Sequence, residues 1–358
     1  MTLPSGGNSV SISASQIRDE FGPTTESGEK VSIGEYRVKQ TFGELSNLPL
    51  DEGLPTESGN TDTISFQDFK GKKLNIVIDY YSNTYTDNTR ENEGETLNIR
   101  DRYTSGTGVH VVGGYKSKPA SSSETKVIVH VNRKLGGEKS TNNQICALRT
   151  GSGWEDDTEM VIDIGNEGRI YGAGGNGGRG GDMDENGDPG QTGTSGLGIE
   201  LSGVEINVAS GGIIKAGFGG GGGGGSGRQS DKNADRRAGG GGGGGGAGFP
   251  AGSGGAAGNG NNNANGQAGA GGSLNGAGEG GSGSQNAQQA FGVVGGDGGS
   301  FGENADDGLE ASTNVGGTEA EGGEGGGNGA AIRKSSGASF ELHNSGTVDG
   351  SQTATGVA

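Results

Sequence analysis

Large side chains are scarce in this chain. Hydrophobic residues make up 27% and aromatics 5% of 358 residues, so no single large core can form. Cys146 is the only cysteine, which excludes an intrachain disulfide framework and leaves the redox compartment undecided. The three histidines, His110, His130 and His343, are scattered, and no Cys-x-x-Cys or His-x-x-x-His spacing exists for zinc. A Gly-x-x-x-x-Gly-Lys-Ser/Thr phosphate loop is also absent. Basic residues are outnumbered 44 to 26, and the net charge of −18 opposes a nucleic-acid partner. No apolar run approaches the roughly 18 residues that span a bilayer. The N-terminus, Met1 to Asn8, lacks the basic and apolar regions of a signal peptide. Cys146 sits in an apolar run with no base nearby in sequence, which reads as a structural thiol. Paired carboxylates without a groove of aromatics give little support to a polysaccharide-cleaving enzyme. The expectation is a non-enzymatic protein without cofactors.

Glycine is what the chain has in excess, with 86 residues. Three regions follow from composition. Residues 1–60 are polar and broken by Pro23, Pro49 and Pro55. A short repeat runs through and just beyond them, as Ile12-Ser13 to Ile17-Arg18, Val31-Ser32 to Tyr36-Arg37, and Ile64-Ser65 to Phe69-Lys70. These units read either as docking segments that lie against another surface, such as a neighbouring subunit, or as short strands or one-turn helices of a loose N-terminal region. Residues 61–160 carry β-branched and aromatic runs at Leu74–Tyr81, Val109–Val112, Val127–Val131 and Ile145–Leu148. Bounded by turn residues, they predict a small antiparallel β-sandwich.

Residues 161–358 change character. Ile162-x-Ile164-x-x-x-Gly168-x-Ile170 recurs as Ile206-x-Val208-x-x-x-Gly212-x-Ile214 and as Phe340-x-Leu342-x-x-x-Gly346-x-Val348. Each copy predicts a strand, a Gly-assisted turn and a second short strand. Glycine tracts lie between them, including Gly172–Gly181, Gly219–Gly225 and Gly239–Gly246. Ordering one Gly costs about 1–2 kcal/mol of backbone entropy, and no side chain is buried in return. Isolated tracts are therefore coils. Extended three-residue-per-turn helices packed side by side escape this, because each can hydrogen-bond outward to its neighbours. One such bond contributes only about 0.5–1.5 kcal/mol, so many must form together. Close backbone packing excludes Cβ atoms, so inner rods must be pure Gly. Polar segments between the tracts then read as turns at the ends of a rigid platform, a common way to build a binding surface.

Within those segments, Arg228, Lys232, Arg236 and Arg237 form the basic cluster of the glycine region, and Phe249, Phe291 and Phe301 are its rare bulky residues. Arg and aromatic side chains are favoured anchors, which makes these the candidate binding contacts. Their bland alternative is a solubilised turn and plugged slab edges. Asp182, Asp184, Asn186 and Asp188 match the first half of a calcium loop, but the twelfth position holds Gly193 instead of Glu. They are a weak calcium candidate beside the default of a solvated acidic turn.

The order of β unit, Gly-Asn-Gly-Gly tract, β unit, long poly-Gly, polar loops and closing Asn-Ser-Gly-Thr-Val resembles the glycine-rich tips of phage tail fibres. The adhesins of T-even-like phages are among these. The resemblance covers residues 160–350 and implies a sandwich of polyglycine II helices framed by short β units. It also implies distal loops that contact a host surface receptor, often an outer-membrane protein, and the expected partner is such a protein or a surface glycan. The Ser-containing N-terminal repeats resemble segments in structural proteins of marine phages. A virion location at a tail fibre or tail tip, outside the cell, follows as an expectation, with other tail or baseplate proteins as partners and a homotrimer among the possible states. The alternative is a purely structural fibre protein whose glycine region is a stiff spacer or oligomerisation element.

Overall fold

The computed structural model describes residues 11–21, 33, 64–80, 97–106, 109–111, 118–231, 234–284, 291–301, 303–311 and 320–358. It is built on short parallel strands, with two α-helices among the described residues.

After β1 (Leu74–Asp79), β2 (Leu97–Asn98), α2 (Ile99–Ser105) and β3 (Val109–Val111), the chain winds through three sheets in a fixed order. β4 (Thr125–Val131), β5 (Lys134–Gly136) and β6 (Cys146–Arg149) make one coil. β7 (Glu159–Ile164), β8 (Arg169–Tyr171) and β9 (Ser195–Ile199) make the next. β10 (Val204–Val208), β11 (Ile213–Lys215) and β14 (Ile332–Lys334) follow, then β15 (Phe340–Asn344), β16 (Thr347–Asp349) and β17 (Ala354–Thr355). Corresponding strands of successive coils pair in parallel, which gives a three-sided parallel β-coil.

The interior is a set of aliphatic ladders. Ile78, Val129, Ile162, Ile206 and Leu342 are register partners in the first sheet. Leu135, Ile170, Ile214 and Val348 align in the second, and Leu97, Leu148, Leu197 and Ile332 in the third. They belong to one hydrophobic cluster. Each buried aliphatic side chain contributes about 1.5–3 kcal/mol, so a narrow coil can hold together with few large residues. At the first corner of each coil the repeated glycine fits against the coil before it. A Cβ at Gly168 would collide with the Val131 carbonyl, and one at Gly346 with the Ala209 carbonyl.

The antiparallel sandwich expected over 61–160 is corrected here. Among the described strands, antiparallel pairing is confined to β1 with β3 and to a hairpin described below. The physical reason is that each strand finds its partner one coil away, not across a tight turn. The expected division at 160/161 falls inside β7, which pairs with β4 on one side and β10 on the other. The strand–turn–strand reading of the longer repeat agrees with β7–β8, β10–β11 and β15–β16.

The first and third N-terminal repeats are capped helical turns. In α1 (Ala14–Phe21) the Ser13 N–H donates to Gln16 Oε1 at 2.8 Å, and the Gln16 N–H donates back to Ser13 Oγ at 3.3 Å. The 3-10 helix Phe66–Phe69 begins with Ser65, whose N–H donates to Asp68 Oδ2 at 2.6 Å. Ile17 and Phe69, the large apolar residues of these two copies, are buried in the coil's cluster, and Phe21 meets Phe69 edge-on. Of the second copy only Ile33 lies within the described residues, and it packs on the same cluster.

Candidate functional site

Two insertions leave the coil at the same corner, between the second and third sheets. One runs from β8 to β9 and the other from β11 to β14. Their glycine tracts are straight segments that hydrogen-bond laterally with a three-residue step. The N–H groups of Gly175, Gly178 and Gly181 donate to the carbonyls of Phe218, Gly221 and Gly224 at 2.8, 2.8 and 2.9 Å. An antiparallel neighbour is matched in the same way. Gly246, Gly243 and Gly240 donate to Gly175, Gly178 and Gly181.

The two longest glycine-dominated runs lie at the centre. Residues 217–225 bond to segments within 173–181, 187–194, 239–247, 293–299, 306–309 and 320–329. Residues 239–247 bond to segments within 174–181, 217–225, 252–258, 264–270, 278–284 and 293–299. Each central rod is thus enclosed by backbone on every side. A Cβ at Gly222 would strike the Gly323 carbonyl and one at Gly243 the Gly221 carbonyl, so a side chain has no room there. Outer rods carry Asn176, Gln191, Ala256, Ala268 and similar residues on their outward edge. The two central rods carry no Cβ atoms apart from those of Phe218 and Ala247 at their coil end.

Successive rods alternate in direction, so their turns fall at two ends. Near the coil lie the turns at 248–251, 273–276 and 300–303. At the far end lie 182–186, the hairpin of β12 (Gly227–Asp231) and β13 (Ala234–Ala238), and 260–265. The far-end loops are tied together. Arg179 forms an ion pair with Asp182, and the Asn259 side-chain amide donates to the same carboxylate at 3.2 Å. The Arg237 N–H donates to Asn261 Oδ1 at 2.9 Å, and Ser226 Oγ donates to the Glu185 carbonyl at 3.0 Å.

Asp184 is the centre of this surface. Arg228 and Arg237 are direct cross-strand partners in the hairpin, which sets two like charges opposite each other. Asp184 Oδ2 resolves the conflict. It lies 3.1 Å from Arg228 Nη1 and 3.2 Å from Arg237 Nη1. Asp184 reaches this position from a left-handed backbone, with φ of 76°. Sequence reasoning found the arginines but missed their shared counter-ion, because 44 residues separate Asp184 from Arg228. The signal available was an acidic turn and a basic turn at the ends of adjacent tracts.

The other candidates separate. Arg236 is half-buried on the hairpin, and Lys232 lies outside the described residues. Phe291 is 43% exposed at the far end, beside Gly227. Phe249 is buried at the coil end. Its N–H donates to the Gly172 carbonyl, its own carbonyl accepts from the Gly137 N–H, and its ring meets Tyr171 edge-on with Lys134 3.5 Å from the ring centre. Phe301 is exposed in a turn at the coil end as well. The calcium-loop match does not converge. Asp182 and Asp184 face arginines, Asn186 Oδ1 accepts from the Glu321 N–H at 2.9 Å, and Asp188 is exposed. Among the described residues, no group of three His, Cys, Asp or Glu side chains is placed to hold a metal ion.

Cys146 is buried in the third sheet, and burial pushes its thiol up to about 12, with Arg333 opposing the shift. A thiol held protonated in this way is a poor nucleophile.

A parallel coil carrying a backbone-bonded lattice, with turns at both of its ends and the longest described ones at the end remote from the coil, defines the architecture. The chain belongs to the phage tail fibre adhesin Gp38 family, whose model matches residues 95–353. A search of solved structures returned the gp37–gp38 adhesin tip complex of the bacteriophage S16 long tail fiber. That match covers 90% of this chain and 98% of the other, at 18% identity and a TM-score of 0.36. No curated protein matches. Family membership gives the chain a place in the virion tail. Among the described residues, no helix is long and apolar enough to cross a membrane.

Proposed function

We propose that this chain is the receptor-binding tip of a tail fibre, in which polyglycine II helices hold recognition loops toward the host surface. The observation that carries this reading is the gathering of the loops at 182–186, 227–238 and 260–265 at the end of the lattice remote from the coil. The three-residue register and the absence of room for Cβ atoms in the inner rods support the helix type. A loop on a stiff scaffold loses little freedom on binding, so more of its contact energy appears as affinity. The surface it meets is a host outer-membrane protein or surface glycan, contacted by the 228–237 hairpin and Phe291. The coil and the N-terminal turns are the side that joins other tail fibre proteins.

Replacing residues 228–237 with a short Gly-Ser turn tests this directly. Virions are expected to assemble normally while adsorption to the host is lost or redirected. Unchanged adsorption to every host would count against the hairpin as the contact. Particles lacking assembled fibres would point instead to a structural spacer.

A further inference from the structure

We infer that Asn275 is a site of spontaneous covalent modification, deamidating through the backbone nitrogen of Gly276 with Lys215 as the positioning residue. Asn-Gly steps are chemically prone to this because glycine has no side chain to obstruct attack by its nitrogen on the preceding side-chain amide. The chain contains such steps at Asn176, Asn186, Asn259, Asn265, Asn275 and Asn328. A nitrogen whose N–H is donated to a fixed acceptor is held away from that attack.

The lattice immobilises nearly all of them. Gly177, Gly187, Gly266 and Gly329 donate to the carbonyls of Ser253, Glu321, Gly258 and Gly217 at 2.8–2.9 Å. The Gly260 N–H donates to Asn265 Oδ1 at 3.1 Å. Gly276 differs. Its turn is closed through its carbonyl, which accepts from the Ser273 N–H at 2.7 Å and from Ser273 Oγ at 3.2 Å. Among the described residues, no acceptor holds its own N–H. Asn275 is exposed, so water and base reach it. Lys215 Nζ lies 3.3 Å from Asn275 Oδ1, where its charge draws electrons from the amide carbonyl and makes Cγ a better electrophile.

The step balances without redox. Solvent base removes the Gly276 N–H proton, the nitrogen bonds to Asn275 Cγ, and the amide nitrogen leaves as ammonia. The resulting succinimide adds water at either carbonyl, giving an aspartyl or an isoaspartyl residue. Lys215 already pairs with the buried carboxylate of Asp349 at 3.3 Å. An aspartyl product adds a second carboxylate to that lysine, whereas the isoaspartyl product lengthens the main chain of the turn. Both change the joint between the rods and β11.

The full-length chain would be aged at mildly alkaline pH and digested, and each Asn-Gly peptide followed by mass spectrometry. Conversion at Asn275 is expected to run severalfold ahead of the other steps in the folded chain and to lose that lead in denaturant. Conversion at Asn186 or Asn265 as fast as at Asn275 in the folded chain would overturn the inference. In Lys215→Met the folded-state rate at Asn275 should fall severalfold while the denatured rate stays unchanged. A folded-state rate equal to that of the parent chain would remove the role given to Lys215.

Discussion

Asp184 shows how one carboxylate can set the shape of a hairpin at the far end of the lattice. Asp184→Asn keeps the size and the left-handed backbone tolerance of the residue but removes the charge shared by Arg228 and Arg237. The expected outcome is faster amide exchange in 227–238 with unchanged protection in 217–225, together with weakened or redirected adsorption. Equal protection of the hairpin in both proteins would show that the two arginines do not need this counter-ion. Cys146 provides a pH reading at the same scale. Its thiol is raised from an ordinary 9.0 to about 12 in the folded chain, so folding favours the protonated form. That stabilisation is complete below pH 9 and is lost as pH rises toward 12. Alkylation of native protein at pH 8 should be negligible and should become fast on unfolding.

At the scale of elements, each rod glycine has a task set by what surrounds it. Gly222→Ala forces a methyl group into the Gly323 carbonyl and should unfold or displace the surrounding rods, lowering Tm sharply. Gly327→Ala meets only Thr192 Cγ2, at 3.8 Å, and should be neutral or stabilise by about 0.4–1 kcal/mol through the unfolded chain. Thermal unfolding of the two variants separates crowding from any general need for glycine. These rods were legible in the sequence, because runs of Gly219–Gly225 and Gly239–Gly246 leave few ways to satisfy their backbone groups. The coil was less so. Leu74–Asp79 is buried on both faces, and such a run looks the same whether its neighbours are parallel or antiparallel. The strand–Gly–strand repeat marked three coils, but the inserted rods between the second and third copies stretched the interval and hid the periodicity.

For the whole molecule, the coil and the lattice are distinct kinds of solid. One is held by buried aliphatic ladders and the other by main-chain hydrogen bonds. Ile162→Ala, in the innermost first-sheet ladder, should cost about 2–5 kcal/mol by denaturant unfolding. In native-state hydrogen exchange, residues 217–225 and 239–247 should be the slowest part of the glycine region. Rapid exchange there would contradict the lattice outright. Such non-local order was only partly readable. The sequence showed which segments must find lateral partners, while the neighbours of each rod depend on the path through the turns.

Ala216 and Ala331, the first and last residues of the larger insertion, both lie against Gly350 in the closing coil. Its exit therefore returns beside its entry, and all the rods of this insertion hang from one seam. A gene segment encoding 217–330 could be traded for a relative's without re-registering a single coil strand. Under the receptor-binding role proposed above, phages that exchange such a cassette would acquire a new host range in one recombination event, on a stem that never has to readapt.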